Sequence, residues 1–350
     1  MKKIGNRRVG IPGYKTISIC ILFMMAGLFI VQNSHGTAFQ DCLMEAMENA
    51  SDSMTMGEIR QRCEERTQGD LLTAAPEKEA NGKLVTERMR QERKQVLQPF
   101  TLTAHKPNYV IFGGYNASSY NTEHYQQQYD LDSLDLDDTE AKFQLSIKFP
   151  LFVKLFHDKM DIYAAYTNRS FWQVYNSDIS SPFRETNHEP EAWVQFHPGW
   201  EFLGFTNTWN SFGINHQSNG QGGYLSRSWN RIFAWLTVER DHLAMSFKPW
   251  YRLPENTEDD DNPDITHFMG HYELSASYKW GEHVFSLMSR NNLESNFRRG
   301  AVELSWSFPL WEWPYLKGYV RCFNGYGDSL IDYDQHVNSI GVGFSLTDWL

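Results

Sequence analysis

Residues 271–280, HYELSASYKW, alternate polar and apolar side chains. Successive side chains of a β-strand point to opposite faces, so this stretch predicts a strand with one apolar and one polar face. Residues 142–149 (KFQLSIKF) and 302–308 (VELSWSF) repeat the pattern. Alternating segments of about ten residues with aromatic side chains near their ends are typical of outer-membrane β-barrels.

The composition favours a membrane barrel over a helical membrane protein. The 350 residues include 12 Trp, 17 Tyr and 23 Phe, yet the mean hydropathy is −0.54. Beyond the N-terminus, no apolar run approaches the roughly 20 residues that a spanning helix needs. A soluble antiparallel sandwich or barrel would alternate as well. However, a face lined by Lys, Glu and Gln suits a polar lumen better than a core.

From residue 108 onward, the alternation divides the chain into about twelve segments. We therefore predict an all-β fold, a transmembrane antiparallel β-barrel of about 12 strands, over residues 105–350. Short turns near 239–241 and 281–282 alternate with longer polar loops, which would lie on the outer side. The predicted strands are about 108–116, 140–149, 161–173, 191–199, 204–218, 226–238, 242–252, 266–280, 283–291, 299–308, 315–324 and 338–350.

The N-terminus favours export. Basic residues precede the apolar stretch 17–31, and small residues follow it. This order predicts a secretory signal peptide over residues 1–38. Residues 39–104 are charged and poor in aromatics, so we expect a partly helical periplasmic extension with a helix over 86–97. A solvated linker and a binding element both remain open for this segment.

The cysteines suggest one pairing. Cys42 and Cys63 both lie in the predicted extension and could form a disulfide in an oxidising compartment. Cys322 is alone in a predicted strand, where we expect a free thiol.

Residues 215–231, NHQSNGQGGYLSRSWNR, carry the candidate chemistry. His216 and Ser218 are two positions apart, so they share one face of a strand, and Asn230 can come alongside if the next strand folds back. A base, a hydroxyl nucleophile and a group that orients the base are the components of a hydrolytic triad.

These residues lie on the apolar side of their predicted strands. Phe212 and Ile214 share the face of His216, and Ile232 shares that of Asn230. In a membrane barrel this side faces lipid, so the substrate could be the lipid itself. A porin has no reason to place such groups where polar side chains are costly. The alternative is a non-catalytic channel or scaffold in which His216 and Ser218 are incidental.

Several long segments resemble the outer membrane phospholipase A family, in order from about residue 108 to the C-terminus. The resemblance implies a twelve-stranded barrel in the bacterial outer membrane. It also implies calcium-dependent hydrolysis of phospholipid acyl esters at both glycerol positions (phospholipase A1 and A2 activity, also on lysophospholipid). The segments are 180–190 (SSPFRETNHEP), 215–231, 248–251 (KPWY), 260–266 (DDNPDIT) and 325–333 (GYGDSLIDY).

The resemblance implies a role for each matching residue. Ser218 matches the nucleophile and His216 the general base. Asn230 matches the residue that holds the imidazole. Gly220 matches the residue whose backbone N–H helps to form the oxyanion hole.

The resemblance also implies a Ca²⁺ site shared between the subunits of a homodimer. The hydroxyl of Ser226 matches one ligand and the backbone carbonyl of Gln221 another. The best-known member has an arginine at the latter position, a change that a backbone ligand tolerates. The carbonyl of Ser180 matches a ligand that the partner subunit supplies.

Asn168 is a candidate dimer contact. It shares a face with Ile162 and Tyr166, so it should point into hydrocarbon, where an unpaired polar side chain is unfavourable. The family has a glutamine at the matching position in its dimer interface. The alternative is a side chain that headgroups or water satisfy.

Overall fold

A computed structural model describes Gly57, Cys63, residues 83–95 and residues 102–350 apart from 259 and 312. In this part of the chain the alternation forms long antiparallel strands. They are β1 (Asn108–Asn116), β2 (Thr139–Lys154), β3 (Met160–Trp172), β4 (Phe183–Phe196), β5 (Phe205–Ser218), β6 (Ser228–Arg240), β7 (Leu243–Leu253), β8 (Tyr272–Trp280), β9 (His283–Asn291), β10 (Gly300–Leu310), β11 (Trp313–Tyr326) and β12 (His336–Thr347).

Shorter elements accompany these strands. The helices are α1 (Leu84–Gln95), α2 (Glu123–Tyr129) and α3 (Ile265–Met269), with a helical turn at Leu155–Asp158. Single 3-10 turns and two-residue strands complete the described elements. They are Ser177–Ile179, Gly223–Leu225, Leu293–Ser295, Thr103–Ala104 and Glu201–Phe202.

The twelve long strands form a closed sheet. Each strand pairs with the next in the chain, and β12 pairs with β1, where Val342 lies opposite Gly113. Closure leaves the wall without an exposed edge, so its backbone polar groups can be paired inside the bilayer. The predicted twelve-stranded barrel is confirmed.

The two faces of the barrel wall differ in polarity, and the apolar residues of each strand face outward, as the sequence predicted. In β8, Leu274 and Tyr278 are 44% and 47% exposed, whereas Ser277 is only 7% exposed. The outer surface is therefore apolar and the lumen polar. Other exposed apolar side chains of the wall are Val110, Phe112, Leu145, Phe149, Phe212, Ile214, Leu236, Met245, Phe247, Leu287, Val342 and Phe344.

Ion pairs cross the lumen. Lys142 lies 2.6 Å from Asp328, and Arg184 lies 3.0 Å from Glu140. These four side chains are almost completely buried, and buried charges are tolerated only when they are paired and hydrogen-bonded. The first pair therefore ties the loop that carries Asp328 to β2, and the second joins β4 to β2. Deeper in the lumen, a second group joins Glu189 and Glu191 to Lys106, Lys248 and Arg231.

The two ends of the barrel differ in the length of their connections. At one end, β6–β7 and β8–β9 are joined by the two-residue turns 241–242 and 281–282. At the other end lie the longer loops 117–138, 219–227 and 254–271. This asymmetry agrees with the short periplasmic turns and long outer loops of such barrels.

Two strands begin six or more residues away from their predicted starts. β4 begins at Phe183 rather than at 191, because Arg184 and Asn187 point inward and bond to groups on the loop after β11. β8 begins at Tyr272 rather than at 266, because the preceding residues form α3. Its residues Ile265 and Met269 are four positions apart and enter the same buried apolar cluster.

The described residues leave part of the N-terminal prediction open. None of the helices in 83–95 and 102–350 is long and apolar enough to cross a membrane. The predicted signal peptide and Cys42 lie outside the described residues. Cys63 and Cys322 are both disulfide-bonded, so the free thiol expected at Cys322 is wrong. The pairing of Cys42 with Cys63 stays a prediction.

Helix α1, predicted over 86–97, belongs to one compact unit with the barrel. The carboxylate of Glu239 at the end of β6 accepts hydrogen bonds from the backbone N–H groups of Val85 (2.7 Å) and Thr86 (3.2 Å). The first N–H groups of a helix have no partner within the helix, and negative charge is favourable there. The buried Glu239 therefore caps α1.

Further contacts hold α1 along its length. Glu92 lies 2.8 Å from Lys148 of β2, and Arg93 lies 3.0 Å from Asp161 of β3. Arg88 donates to the backbone carbonyl oxygens of Asp348 (3.1 Å) and Trp349 (2.9 Å). The helix is thus attached to the end of the barrel that carries the short turns.

We expect Glu239→Gln to loosen α1 while the barrel stays folded. The substitution removes the charge that caps the helix, and losing such a cap costs about 1 kcal/mol. Hydrogen–deuterium exchange should show faster exchange in 84–95 with unchanged protection of the strands. Glu201→Gln is the matched control, because Glu201 is an exposed carboxylate that contacts the side chains of Lys83 and Thr206 and no backbone N–H of α1. Equal exchange in both variants would contradict the cap.

Candidate active site

The β5–β6 hairpin places the candidate groups on the outer surface. Register pairs His216 directly with Asn230, and Ser218 directly with Ser228. His216 is exposed, as is Ile214 two residues earlier (59%), whereas Asn215 is 3% exposed and points into the lumen. The outward orientation predicted for His216 in this hairpin is therefore correct.

His216 and Asn230 are in direct contact. The Nδ1 atom of His216 lies 2.8 Å from Oδ1 of Asn230. A carbonyl oxygen only accepts, so this contact requires the proton on Nδ1 and leaves Nε2 as the basic nitrogen. The arrangement is the one that a general base needs.

Ser218 is bonded to the backbone of the following loop. Its Oγ accepts a hydrogen bond from the N–H of Gly220 at 3.0 Å. Ser218 and His216 share the outer face, but no hydrogen bond joins these two described side chains. Catalytic hydrogen bonds are often completed only when substrate is bound. Gly220 has φ +66°, a left-handed conformation that favours glycine and directs this N–H at the hydroxyl.

Asn219 holds the loop 219–227 in shape. It is 2% exposed. Its Oδ1 accepts hydrogen bonds from the N–H groups of Gln221 (3.3 Å) and Arg227 (3.0 Å). Its Nδ2 donates to the carbonyl oxygen of Leu225 at 2.7 Å and to Glu185 of β4 at 3.2 Å. Asn219 was not predicted to have a role, although an Asn-Gly pair after a strand is a recognised turn signal.

The loop after β7 lies against the start of β6. Asn262 is fully buried, and its Oδ1 accepts a hydrogen bond from the N–H of Ser228 at 3.0 Å. Its neighbour Asp261 accepts a hydrogen bond from the hydroxyl of Ser226. Glu255 accepts a hydrogen bond from Nδ2 of Asn230 at 3.0 Å. Glu255 was not singled out from the sequence, because an acidic loop by itself usually indicates a solvated segment.

The predicted calcium ligands lie in two loops at the same end of the barrel. Ser226 and the exposed Gln221 belong to 219–227, while the exposed Ser180 belongs to 173–182. Ser180 has a left-handed φ of +63°. In the described part of the chain, no group of three His, Cys, Asp or Glu side chains could hold a metal. A cation here would need hydroxyl, carbonyl and single carboxylate oxygens, which Ca²⁺ accepts.

Asn168 faces outward on β3, as predicted, and is half-buried. Its Oδ1 accepts a hydrogen bond from Ser170 (3.1 Å), and the Ser170 hydroxyl lies 3.1 Å from that of Thr186 on β4. The amide nitrogen of Asn168 donates to no described group, so it is available to a second molecule.

A second histidine, which was not predicted from the sequence, lies beside Ser218. His188 of β4 is directly opposite Ser218 in register, and its Nδ1 lies 2.6 Å from the hydroxyl of Tyr166. The ring also borders Gly220, since a Cβ on that glycine would lie 3.6 Å from it. The residue was missed because 180–190 was interpreted as a loop.

Several known proteins are similar to this chain over most of its length. The Phospholipase A1 family model matches residues 85–346. Phospholipase A1 of Escherichia coli K12 is 40% identical over 250 residues, which cover 71% of this chain and 83% of that protein. The chain belongs to the phospholipase A1 family. The enzyme of Klebsiella pneumoniae is 38% identical over the same length, covering 84% of that protein.

Solved structures of this family have the same barrel. The calcium-bound dimer of outer membrane phospholipase from Salmonella typhi superposes with a TM-score of 0.66 at 37% identity, covering 72% of this chain and 94% of that one. Outer membrane phospholipase A of Escherichia coli gives 0.65 at 37% identity, covering 72% of this chain and 100% of that one. These similarities confirm the family and the fold that the sequence predicted.

We expect Asn219→Ala to open the loop 219–227 without unfolding the barrel. The substitution leaves buried groups of Arg227, Leu225 and Glu185 without their partner, at a cost of about 1–3 kcal/mol. Limited proteolysis and hydrogen exchange should localise the change to this loop. The control is Gln221→Ala, since the Gln221 side chain is exposed. Similar loop protection in both variants would contradict the role of Asn219.

Proposed function

We propose that this chain hydrolyses the acyl esters of phospholipids in the bacterial outer membrane, with both phospholipase A1 and A2 activity and activity on lysophospholipid. The supporting observation is the His216–Asn230 contact beside Ser218 on the outward, apolar face of the barrel. A base and a hydroxyl on that face would meet lipid rather than a soluble substrate. Family membership supports phospholipid hydrolysis in particular.

The proposed reaction begins with attack of Ser218 Oγ on the ester carbonyl carbon. Nε2 of His216 takes the hydroxyl proton, and this general-base help is worth roughly 10²–10⁴-fold. The N–H of Gly220 donates to the negative oxygen of the tetrahedral intermediate. His216 then returns the proton to the leaving glycerol oxygen, and water releases the fatty acid from the serine ester by the same steps.

The proposed site lies at the level of the outer leaflet. Loop 219–227 follows β5 at the end with the longer loops, and Phe212 and Ile214 continue the same face toward the other end. A lipid whose ester lies at Ser218 would place its acyl chain along these apolar side chains. Access would then need no tunnel through the protein.

Calcium fits the oxygen donors at this site. We propose that the Ser226 hydroxyl and the Gln221 carbonyl hold Ca²⁺ together with the Ser180 carbonyl of a second subunit. Asp261, which is already bonded to Ser226, adds a carboxylate. When bound, Ca²⁺ supplies positive charge that stabilises the developing oxyanion, where one good donor is typically worth about 3–4 kcal/mol. Because few acidic groups surround this site, one subunit alone would bind Ca²⁺ weakly. Dimerisation would then control activity.

The proposed active form is a homodimer. Asn168 points into the lipid region with an amide nitrogen free to bond across an interface, where hydrogen bonds between polar side chains stabilise association. The related Salmonella typhi enzyme was solved as a calcium-bound dimer.

We also propose the processing and location of each segment. Residues 1–38 would direct export, and 39–104 would form a periplasmic extension. Residues 105–350 would form the outer-membrane phospholipase domain.

A non-catalytic channel is the second candidate. The lumen argues against it, because ion pairs such as Lys142–Asp328 and Arg184–Asp332 (both 2.6 Å) connect the wall to the loop after β11. An open pore would need these buried pairs to separate, which is strongly unfavourable.

We expect Ser218→Ala to reduce fatty-acid release at least about 10³-fold, because the nucleophile is lost. Detergent-solubilised protein, phospholipid and calcium suffice for the assay, with the heat-dependent gel shift as the test of folding. Ser228→Ala is the matched control, since Ser228 lies directly opposite on the same face. Full activity in the Ser218 variant would reject the assignment.

Calcium removal should abolish activity reversibly. Ser226→Ala should raise the calcium concentration needed for half-maximal activity by about tenfold or more, since one ligand is lost. A calcium titration of fatty-acid release measures this, again with Ser228→Ala as control. Activity that persists in chelator would contradict the proposed metal site.

Asn168→Ala should lower the dimer fraction and the activity together. One interhelical or interstrand polar contact in lipid is worth about 0.5–2 kcal/mol, so a few-fold loss is expected. Cross-linking in detergent with calcium measures the dimer. Ser170→Ala is the comparison variant, because it removes the hydroxyl that Asn168 contacts within its own subunit. A fully active monomer would refute the shared calcium site.

A further inference from the structure

We propose that Glu255 is a positioning residue for the general base and acts on His216 through Asn230; this role rests on the proposed function. The three side chains form a continuous series. Oδ1 of Asn230 lies 2.8 Å from His216 Nδ1, and Nδ2 of the same amide donates to Glu255 Oε1 at 3.0 Å. The site thus consists of a carboxylate, an amide, an imidazole and a hydroxyl.

The position of Glu255 follows from the register of the sheet. Asn230 on β6 lies opposite Leu253, the last residue of β7. Glu255 comes two residues after Leu253, and its carboxylate lies beside the side-chain amide of Asn230. It is half-buried there.

The loop that carries Glu255 has its own anchors. Asp260 lies 2.6 Å from Arg252, and Asn262 accepts the hydrogen bond of Ser228 N–H. The carboxylate is therefore held near Asn230 by contacts that do not involve the triad. Substitution of Glu255 alone should leave the loop in place.

The first consequence concerns the orientation of the Asn230 amide. A carboxylate only accepts hydrogen bonds, so Glu255 selects the orientation in which Nδ2 points toward it. The amide oxygen must then face His216, which fixes the proton on Nδ1. Without Glu255 the amide could turn over and present its NH₂ group to the imidazole, which would place the basic nitrogen on the wrong side.

The second consequence concerns charge. When His216 takes the proton of Ser218, it becomes positive, and the neutral Asn230 cannot offset that charge. Glu255 supplies a negative charge at the far end of the amide, beside lipid, where a low dielectric strengthens the attraction. The carboxylate thereby does for an amide-containing triad what Asp does directly in a Ser-His-Asp triad.

Other titratable groups face this part of the outer surface from the neighbouring elements. They are His188 on β4 with Tyr166 on β3, Tyr251 on β7, and Asp261 on the same loop as Glu255. Among the described side chains, Glu255 alone bonds to the free end of Asn230.

The test uses full-length dimeric protein, phospholipid in detergent micelles and saturating calcium. Glu255→Gln keeps an acceptor oxygen for Asn230 but removes the charge, and Glu255→Ala removes both. Glu255→Asp keeps the charge. Glu258→Gln is the matched control, because Glu258 is an exposed carboxylate of the same loop.

We expect Glu255→Gln to lower kcat by about three- to tenfold with little change in KM, since Glu255 acts through Asn230 and not on lipid. Glu255→Ala should lose more, and Glu255→Asp should recover part of the rate.

Two results would overturn the inference. One is a Glu255→Gln enzyme with the kcat of Glu258→Gln. The other is a Glu255→Ala enzyme whose loss lies wholly in KM or heat stability. The proposed function fails separately, if Ser218→Ala stays active. An inactive Ser218→Ala enzyme beside an unaffected Glu255→Gln enzyme would reject only the role of Glu255.

Discussion

A chain inside a bilayer has no water to satisfy its backbone, so each N–H and C=O must find a partner within the protein. The pairing of β12 with β1 meets this requirement by removing both edges of the sheet. Once the wall is closed, residue parity alone decides which side chains meet lipid and which fill the lumen. A polar residue on the lipid side is therefore an exception that needs a reason, and His216 and Asn230 are two such exceptions.

The lumen supports the site from behind. Burial alone would raise the pKa of Asp328, but the charges of Arg321 and Lys142 outweigh it and hold the pKa well below its usual range. The loop after β11 is thus fixed against the strands by a carboxylate that stays ionised. The backbone N–H of Ile331 in this loop donates to Glu185, which also binds Asn219. The ion pairs and the loop 219–227 therefore form one connected structure.

Period-two alternation was enough to predict the number of strands and the outward face of His216 and Asn230, because these properties depend on parity within single segments. The start of β4 and the helix α3 could not be predicted, since Arg184 and Ile265 are stabilised by residues distant in sequence. Glu255 was missed for the same reason: the acidic composition of its loop does not distinguish a carboxylate bonded to Asn230 from a solvated one. The sequence likewise predicted that Ser218 lies near His216, but it did not predict the hydrogen bond from the Gly220 N–H to the Ser218 hydroxyl.

The attachment of α1 has a consequence for the order of assembly. Two of its contacts, at Glu239 and at the carbonyl oxygens of Asp348 and Trp349, come from the end of β6 and from the last residues of the chain. Although α1 precedes all twelve barrel strands, its complete set of bonds can form only after the final strand has joined the first. Complete docking of α1 therefore requires a closed barrel. Although α1 is synthesised before the barrel strands, it is among the last parts of the molecule to reach its final position.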